Sequence, residues 1–273
     1  MGQHGQYGAL VALSQAASRA AGRAAGRAVS LFRFALPFSW ALAGAAVAAD
    51  CRTALAIGLD VSRSVDPGEM ALQSEGLARA LADPDVVRAF LAPRGGLVRL
   101  AVYDWSGLGT ARIVSPWLDI RAQADLAAVA AAVRAGPAGG GGRTALGGAM
   151  LAGAALLAQQ RTCGAMILDL TGDGFSNEGP PPGRIAAQTF RGITVNALVI
   201  AEEQGSGEEP SLARLLAYFE EEVIRGPGAF AEPARGFANF ERAMVRKLLR
   251  ELGDAEVAAL PAPALRLAGS GGS

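Results

Sequence analysis

Ala54–Ser64, ALAIGLDVSRS, is an apolar run that ends in a carboxylate and continues with two hydroxyls at alternate positions. Leu55, Ile57 and Leu59 follow one another without polar interruption, as expected of a strand buried on both faces. That reading puts Asp60 at the carboxyl end of a strand, where open parallel sheets place their ligand sites. Asp60, Ser62 and Ser64 bring three hard oxygen donors within five residues, a set that suits Mg²⁺ or Mn²⁺ better than a soft metal. By itself D-x-S-x-S is a weak pattern, because short oxygen-rich runs are common in turns. Its meaning depends on partners elsewhere in the chain.

Downstream, Asp66-Pro67 with Glu69 reads as a helix start, with Asp66 as N-cap, Pro67 in the first position and Glu69 closing a capping box. The helix runs to about Ala82, and a shorter helical piece spans Pro84–Leu91. Leu97–Trp105, LVRLAVYDW, is a second strand. Thr110–Trp117 is a third, shorter and more polar, and Pro116 marks it as a sheet edge. Asp119–Arg134 reads as an alanine-rich helix, Ala135–Arg143 (AGPAGGGGR) as a flexible loop, and Thr144 opens a helix through about Gln160. Gly164–Leu170 is a fourth strand leading into Thr171-Gly172-Asp173-Gly174. The order closes with a turn and helix over Pro180–Phe190, a fifth strand over Gly192–Ala201, an acidic solvated stretch and a helix over Ser211–Glu222. A short sixth strand over Gly228–Glu232 and a last helix over Gly236–Leu252, stopped by Gly253, follow. Strands alternating with helices imply an α/β fold: a doubly wound, mostly parallel six-stranded sheet with helices on both faces and one short antiparallel edge strand. One domain over residues 50–253 accounts for the pattern, and the Ala, Pro, Gly and Ser of residues 254–273 read as a disordered tail.

Residues 1–49 differ from the rest. They hold Arg19, Arg23, Arg27 and Arg33, no acid, and end in a sixteen-residue apolar run, Phe34–Ala49, that contains Pro37. The run is short for a spanning helix and suits the core of a signal peptide with a long n-region, with small residues Ala46-Val47-Ala48-Ala49 offering the cleavage site. Export to the periplasm or beyond is the expectation, with no stable membrane span after cleavage. Removing residues 1–49 leaves 21 basic against 25 acidic groups, a net charge of −4. No basic tract remains to argue for nucleic acid or a membrane surface. The only histidine, His4, leaves with the same segment.

Three separated loops then carry oxygen donors at the same kind of place: Asp60, Ser62 and Ser64 after strand one, Thr144 after the glycine-rich loop, and Asp173 after strand four. In a doubly wound sheet whose chain reverses after strand one, strands one and four are neighbours and their tops form the switch-point crevice. Here the chain resembles the von Willebrand factor A domain with its metal-ion-dependent adhesion site (MIDAS), over roughly Thr53–Leu252. It resembles more closely a family of exported bacterial A-domain proteins of unknown function, through LDVSRSVDPGEMALQ, VYDWSG, GGRTALGGAM, LTGDGFSNEGPPP and VIRGPGAF. The resemblance implies Ser62, Ser64 and Thr144 as hydroxyl ligands of a divalent cation (Mg²⁺, or Mn²⁺ or Ca²⁺) and Asp60 and Asp173 as its carboxylates. It also implies a protein partner whose acidic residue completes the shell. Arg63 departs from the glycine many A-domains carry there, and a guanidinium pointing across the cleft would repel the cation.

Cys51 and Cys163, the only cysteines, lie nine and ten residues before Asp60 and Asp173. If strands one and four are adjacent and parallel, the two cysteines start them at matching heights. Neighbouring strands are about 4.8 Å apart, near the Cα separation a disulfide accepts. A structural disulfide is expected, not a redox centre.

Three function classes remain: a cation-dependent binding module, a metal-assisted hydrolase, and a metal-free structural or assembly module. Against the enzyme stands the missing histidine, which rules out a Ser-His-Asp triad once residues 1–49 are removed. A G-x-x-x-x-G-K-[ST] loop is also absent. The binding module is the leading reading.

Overall fold

The computed structural model describes residues 51–93, 96–136, 140–205 and 209–258. The expected signal peptide and most of the expected tail lie outside the described residues. Six strands, β1 (Cys51–Asp60), β2 (Leu97–Trp105), β3 (Arg112–Ile120), β4 (Ala165–Gly172), β5 (Ile193–Ala201) and β6 (Ala231–Arg235), form one sheet in the order β3-β2-β1-β4-β5-β6. Only β3 runs antiparallel to its neighbour; the other pairings are parallel. Helices α1 (Pro67–Ala80), α2 (Pro84–Leu91), α3 (Gln123–Arg134), α4 (Leu146–Leu157), α5 (Leu212–Tyr218) and α6 (Phe240–Ala258) cover it. The chain leaves β1 in one direction for β2 and β3, then returns to lay β4 on the other side. The switch point therefore falls between β1 and β4, as open sheets of this type require.

Alternation along β1 builds two cores. Leu55, Ile57 and Leu59 pack with Leu77 of α1, Phe90 of α2, Leu126 of α3 and Phe240 and Met244 of α6. Ala54 and Ala56 face the opposite side, with Tyr103, Leu168, Leu170, Met150 and Leu157 of α4 and Leu215 of α5. That second face is lined by small residues because Tyr103 crosses it. A Cβ on Gly58 would stand 2.6 Å from the tyrosine ring. The buried Tyr103 hydroxyl donates to Ala149 O at 2.9 Å. Each large side chain removed from water on these faces contributes about 1.5–3 kcal/mol.

Asp66 caps α1 as expected: its carboxylate accepts from Glu69 N and Glu69 Oε2 accepts from Asp66 N, both at 2.8 Å. Elsewhere the boundaries shift. Asp119, expected to open a helix, lies in β3 and accepts from Arg99 Nε of β2 at 2.7 Å. Asp125 takes over the start of α3, accepting from Arg121 N and Ala122 N. Pro180–Phe190 forms two short 3₁₀ turns, Pro182–Arg184 and Ala187–Phe190, in place of a helix; three consecutive prolines deprive that segment of N–H donors. The sixth strand starts at Ala231, later than expected, because Phe230 N is taken by the Asn196 side chain. Helix α6 continues through Gly253 to Ala258. β3 is an edge strand, and Pro116 falls in the register shift between the Val102–Ser115 and Leu100–Leu118 pairs, where no ladder partner needs its missing N–H.

The disulfide joins Cys51 and Cys163 with Cα atoms 4.5 Å apart. The parallel register that pairs Thr53 with Ala165 sets the two cysteines opposite one another at the amino ends of β1 and β4.

A buried three-residue charge cluster lies beneath the carboxyl ends of the strands. Lys247 Nζ of α6, the sequence's single lysine, sits 2.7 Å from Asp169 Oδ1 of β4 and also pairs with Glu251. Asn196 Nδ2 donates to the same glutamate at 2.8 Å.

Candidate metal site at the switch point

All five residues expected from the sequence meet at one place, the carboxyl ends of β1 and β4. Asp60 is the last residue of β1 and is buried, as are Ser62 and Thr144. Ser62 N donates to Asp60 Oδ1 at 2.8 Å, which folds the loop back over the strand end. The Ser62 and Ser64 hydroxyls lie 3.1 Å apart, and Thr144 Oγ1 donates to Ser62 Oγ at 3.3 Å. Ser64 Oγ donates to Asp173 Oδ1 at 2.7 Å. Three hydroxyls and two carboxylates thus form one connected cluster drawn from three loops. Among the described residues there is no group of three or more His, Cys, Asp or Glu that could hold a metal. Hydroxyls carry most of this donor set.

Other residues of the same loops hold the cluster in shape. Part of the stretch expected to be a flexible glycine-rich loop is instead pinned: Gly141 N donates to Val61 O at 3.1 Å and Arg63 N to Gly142 O at 2.9 Å. The close approach explains the glycines, since a Cβ on Gly140 would lie 2.2 Å from Val61 O and Gly141 has φ +110°. Asn177 clamps Thr144 from the other side. Its Oδ1 accepts from Thr144 N and its N donates to Thr144 O, both at 2.9 Å.

Below the cluster, a closed ring of hydrogen bonds fixes the Asp60 backbone. Asp60 N donates to Thr171 Oγ1 at 2.9 Å, Thr171 Oγ1 donates to Gln73 Oε1 at 2.7 Å, and Gln73 Nε2 donates to Asp60 O at 2.9 Å. Gln73 and Thr171 are both buried, so β1, β4 and α1 are locked together by groups that have all found partners.

One atom stands outside this accounting. Asp60 Oδ2 is buried and has no hydrogen-bond partner among the described residues. Burial first, and then the Asp173 charge, push the Asp60 carboxyl well above the usual carboxylate range. Burial also raises Asp173, to about 6, with the Ser64 hydroxyl pulling it back and the Glu69 and Glu209 charges pushing it up. An orphaned carboxylate oxygen beside three hydroxyls and a second carboxylate matches the needs of a small, hard divalent cation.

Residues the sequence left out of the site turn out to be structural supports. Asn177 braces Thr144, and Glu178 Oε2 accepts from Leu108 N at 2.8 Å. Trp105 is buried within the core. The Gly226-Pro227-Gly228 turn lies at the amino end of β5, beside Ile193 and Thr194, on the side away from the cluster. Arg63 is exposed, and with Arg143, Ser64, Gly142, Thr144 and Asn177 it lines an open cleft of about 570 Å³.

The same fold occurs in solved structures. Proximal thread matrix protein 1 from the mussel byssus, with a zinc-occupied MIDAS motif, is 18% identical over 76% of this chain and 49% of its own, with a TM-score of 0.54. A von Willebrand factor type A protein from Catenulispora acidiphila is 16% identical over 74% of this chain and 43% of its own (TM-score 0.52). The pilus adhesin SpaC from Lactobacillus rhamnosus GG is 14% identical over 75% of this chain and 30% of its own (TM-score 0.52). The chain thus spans half or less of the length of these proteins, and at such identities the likeness concerns the fold. A comparison with curated proteins returns no match. Residues 50–256 match the family described as Protein of unknown function (DUF1194). The chain belongs to that family, and its fold is that of a von Willebrand factor A domain.

Proposed function

We propose that this protein is an exported, divalent-cation-dependent binding module. Asp60, Ser62, Ser64, Thr144 and Asp173 would hold the cation, leaving a position open toward the cleft for a carboxylate of a partner protein. The observation that carries this reading is the buried, unpartnered Asp60 Oδ2 within a cluster of hydroxyls. Burying a carboxylate without a compensating charge is costly, and Asp60 and Asp173 raise that cost for one another. A bound cation would supply the compensating charge and a Lewis-acidic position for an incoming oxygen.

The chain's own residues do the rest. The Gln73–Thr171 ring holds the Asp60 backbone, Asn177 holds Thr144, and the Gly140–Gly142 backbone braces Val61 and Arg63. The donors are therefore set in place before a ligand arrives, which lowers the ordering cost of binding. A cation-supported adhesive role agrees with adhesins and a MIDAS-bearing byssal protein among the structural neighbours. The disulfide agrees with export.

The test is a thermal-denaturation series on the purified chain with Mg²⁺, Mn²⁺ or Ca²⁺ added after chelation. The expected outcome is a cation-dependent rise in Tm that Asp60→Ala removes. A wild-type Tm indifferent to all three cations would favour the metal-free module.

A further inference from the structure

Two guanidiniums line the cleft, and neither is held in an ion pair among the described residues. Arg63 and Arg143 stem from adjacent backbones, because Arg63 N bonds to Gly142 O, the residue before Arg143. Both side chains are exposed and both line the cleft that contains Ser64 and Thr144. Neither forms an ion pair with a carboxylate of the described residues. Arg143 is aimed by Asn177: its Nη2 donates to Asn177 O at 2.9 Å and its Nε to Asn177 Oδ1 at 3.5 Å. That anchorage leaves the Nη1 edge without a partner among the described residues. Acids stand nearby without pairing with either arginine: Glu178 accepts from Leu108 N and Glu69 from Asp66 N, and the Glu69 and Glu209 charges act on Asp173.

The two arginines give the cleft a second point of recognition beside the cation position. A divalent cation would offset Asp60 and Asp173 and would leave the two rim arginines still without an ion-pair partner. A single incoming carboxylate takes the open position of the cation and leaves the guanidiniums unmatched. We infer that the cleft selects a protein segment carrying two closely spaced carboxylates, one for the cation and one for the Arg63–Arg143 pair. This inference rests on the proposed cation site and adds the identity of the group that site prefers. Arginine suits the second role because its planar fork binds a carboxylate through two parallel N–H donors, and because its charge does not titrate away. The same residues explain how Arg63 coexists with a cation site: it is a partner contact at the rim, exposed to solvent, which screens its repulsion of the cation.

The experiment is calorimetric titration of the purified chain, in saturating Mg²⁺, with two blocked tetrapeptides, Gly-Asp-Asn-Gly and Gly-Asp-Asp-Gly. The cation itself is titrated in parallel. The second carboxylate is expected to tighten binding by about tenfold, the scale of one charge-assisted hydrogen-bonded pair. In the double variant Arg63→Gln with Arg143→Gln that advantage falls to near onefold, while Mg²⁺ binds at least as tightly because two repulsive charges have gone. Equal wild-type affinities for the two peptides, alongside clear Mg²⁺ uptake, would overturn the inference and leave the cation site standing. Absence of Mg²⁺ uptake would overturn both. A third peptide with phosphoserine in place of the second aspartate distinguishes the chemistry: tighter binding of the phosphopeptide would assign the arginines to a phosphoryl group and overturn the carboxylate assignment.

Discussion

Ser64 and Asp173, 109 residues apart in sequence, share a 2.7 Å hydrogen bond from Ser64 Oγ to Asp173 Oδ1. This contact ties the loop after β1 to the loop after β4 across the switch point. It also turns two unremarkable turn sequences into one donor cluster. The serine hydroxyl is the only side-chain hydrogen-bond partner of that carboxylate among the described residues. A cation entering the cluster would compete for both oxygens, so the bond marks where the two loops yield to a ligand.

Thr171 is the hinge of the ring beneath the site, accepting from Asp60 N and donating to Gln73. Thr171→Val keeps the shape and removes both bonds, leaving Asp60 N and Gln73 Oε1 buried without partners. The expected loss is about 1–3 kcal/mol in urea denaturation, with weaker cation uptake in the same preparation. Unchanged stability would mean that the ring does not hold Asp60.

The disulfide closes a loop of 112 residues between the amino ends of β1 and β4. In the chain-entropy model, opening it costs about 4–5 kcal/mol. Cys51→Ser with Cys163→Ser should therefore lower the denaturation midpoint by a matching amount, as should reductant on the wild type. Cation affinity should change little, because the bridge and the donor cluster lie at opposite ends of the strands.

The buried Lys247–Asp169–Glu251 cluster gives the fold a pH dependence of definite sign. Burial raises Asp169 from 3.8 to about 7; Lys247 opposes the shift and Glu251 adds to it. The folded state then holds a proton on Asp169 more tightly than the unfolded chain does. Its contribution to stability is full below pH 3.8 and is lost as pH rises through about 7. Denaturation of the wild type against Asp169→Asn at about pH 5 and about pH 8 isolates this contribution from carboxylates such as Glu75. The wild type should lose stability relative to the variant on going to the higher pH. Lys247→Met leaves two carboxylates buried without their cation and should cost about 3–5 kcal/mol.

The parts of the molecule legible in the sequence are those governed by local periodicity and by single residues with strong preferences. The apolar run of β1 locates its own carboxyl end, Asp66-Pro67 caps its own helix, and Pro116 betrays an edge. The cysteine spacing is readable because two parallel neighbours keep equal heights. What stays hidden acts through partners distant in sequence. Gln73 reads as an ordinary polar residue of an amphipathic helix, yet it is buried and bonded to Thr171, 98 positions away. Asn177 reads as a turn residue until Thr144 is placed against it. The glycine-rich stretch suggests flexibility by composition, and its Gly140–Gly142 segment is held by backbone bonds to the Val61–Arg63 loop. The far limit of β3 escapes a sequence reading because the Arg99–Asp119 bond across the sheet outweighs local propensity there, whereas the three prolines of Pro180–Phe190 already argue locally against the helix expected there.

The most direct test of the cation site is calorimetric titration of the purified chain with Mg²⁺, Mn²⁺ and Ca²⁺, beside Asp60→Ala and Asp173→Ala. One cation per chain is predicted for at least one of the three metals, with binding abolished by either substitution. Binding that survives both substitutions, or a folded wild type that takes up none of the cations, would contradict the proposed site.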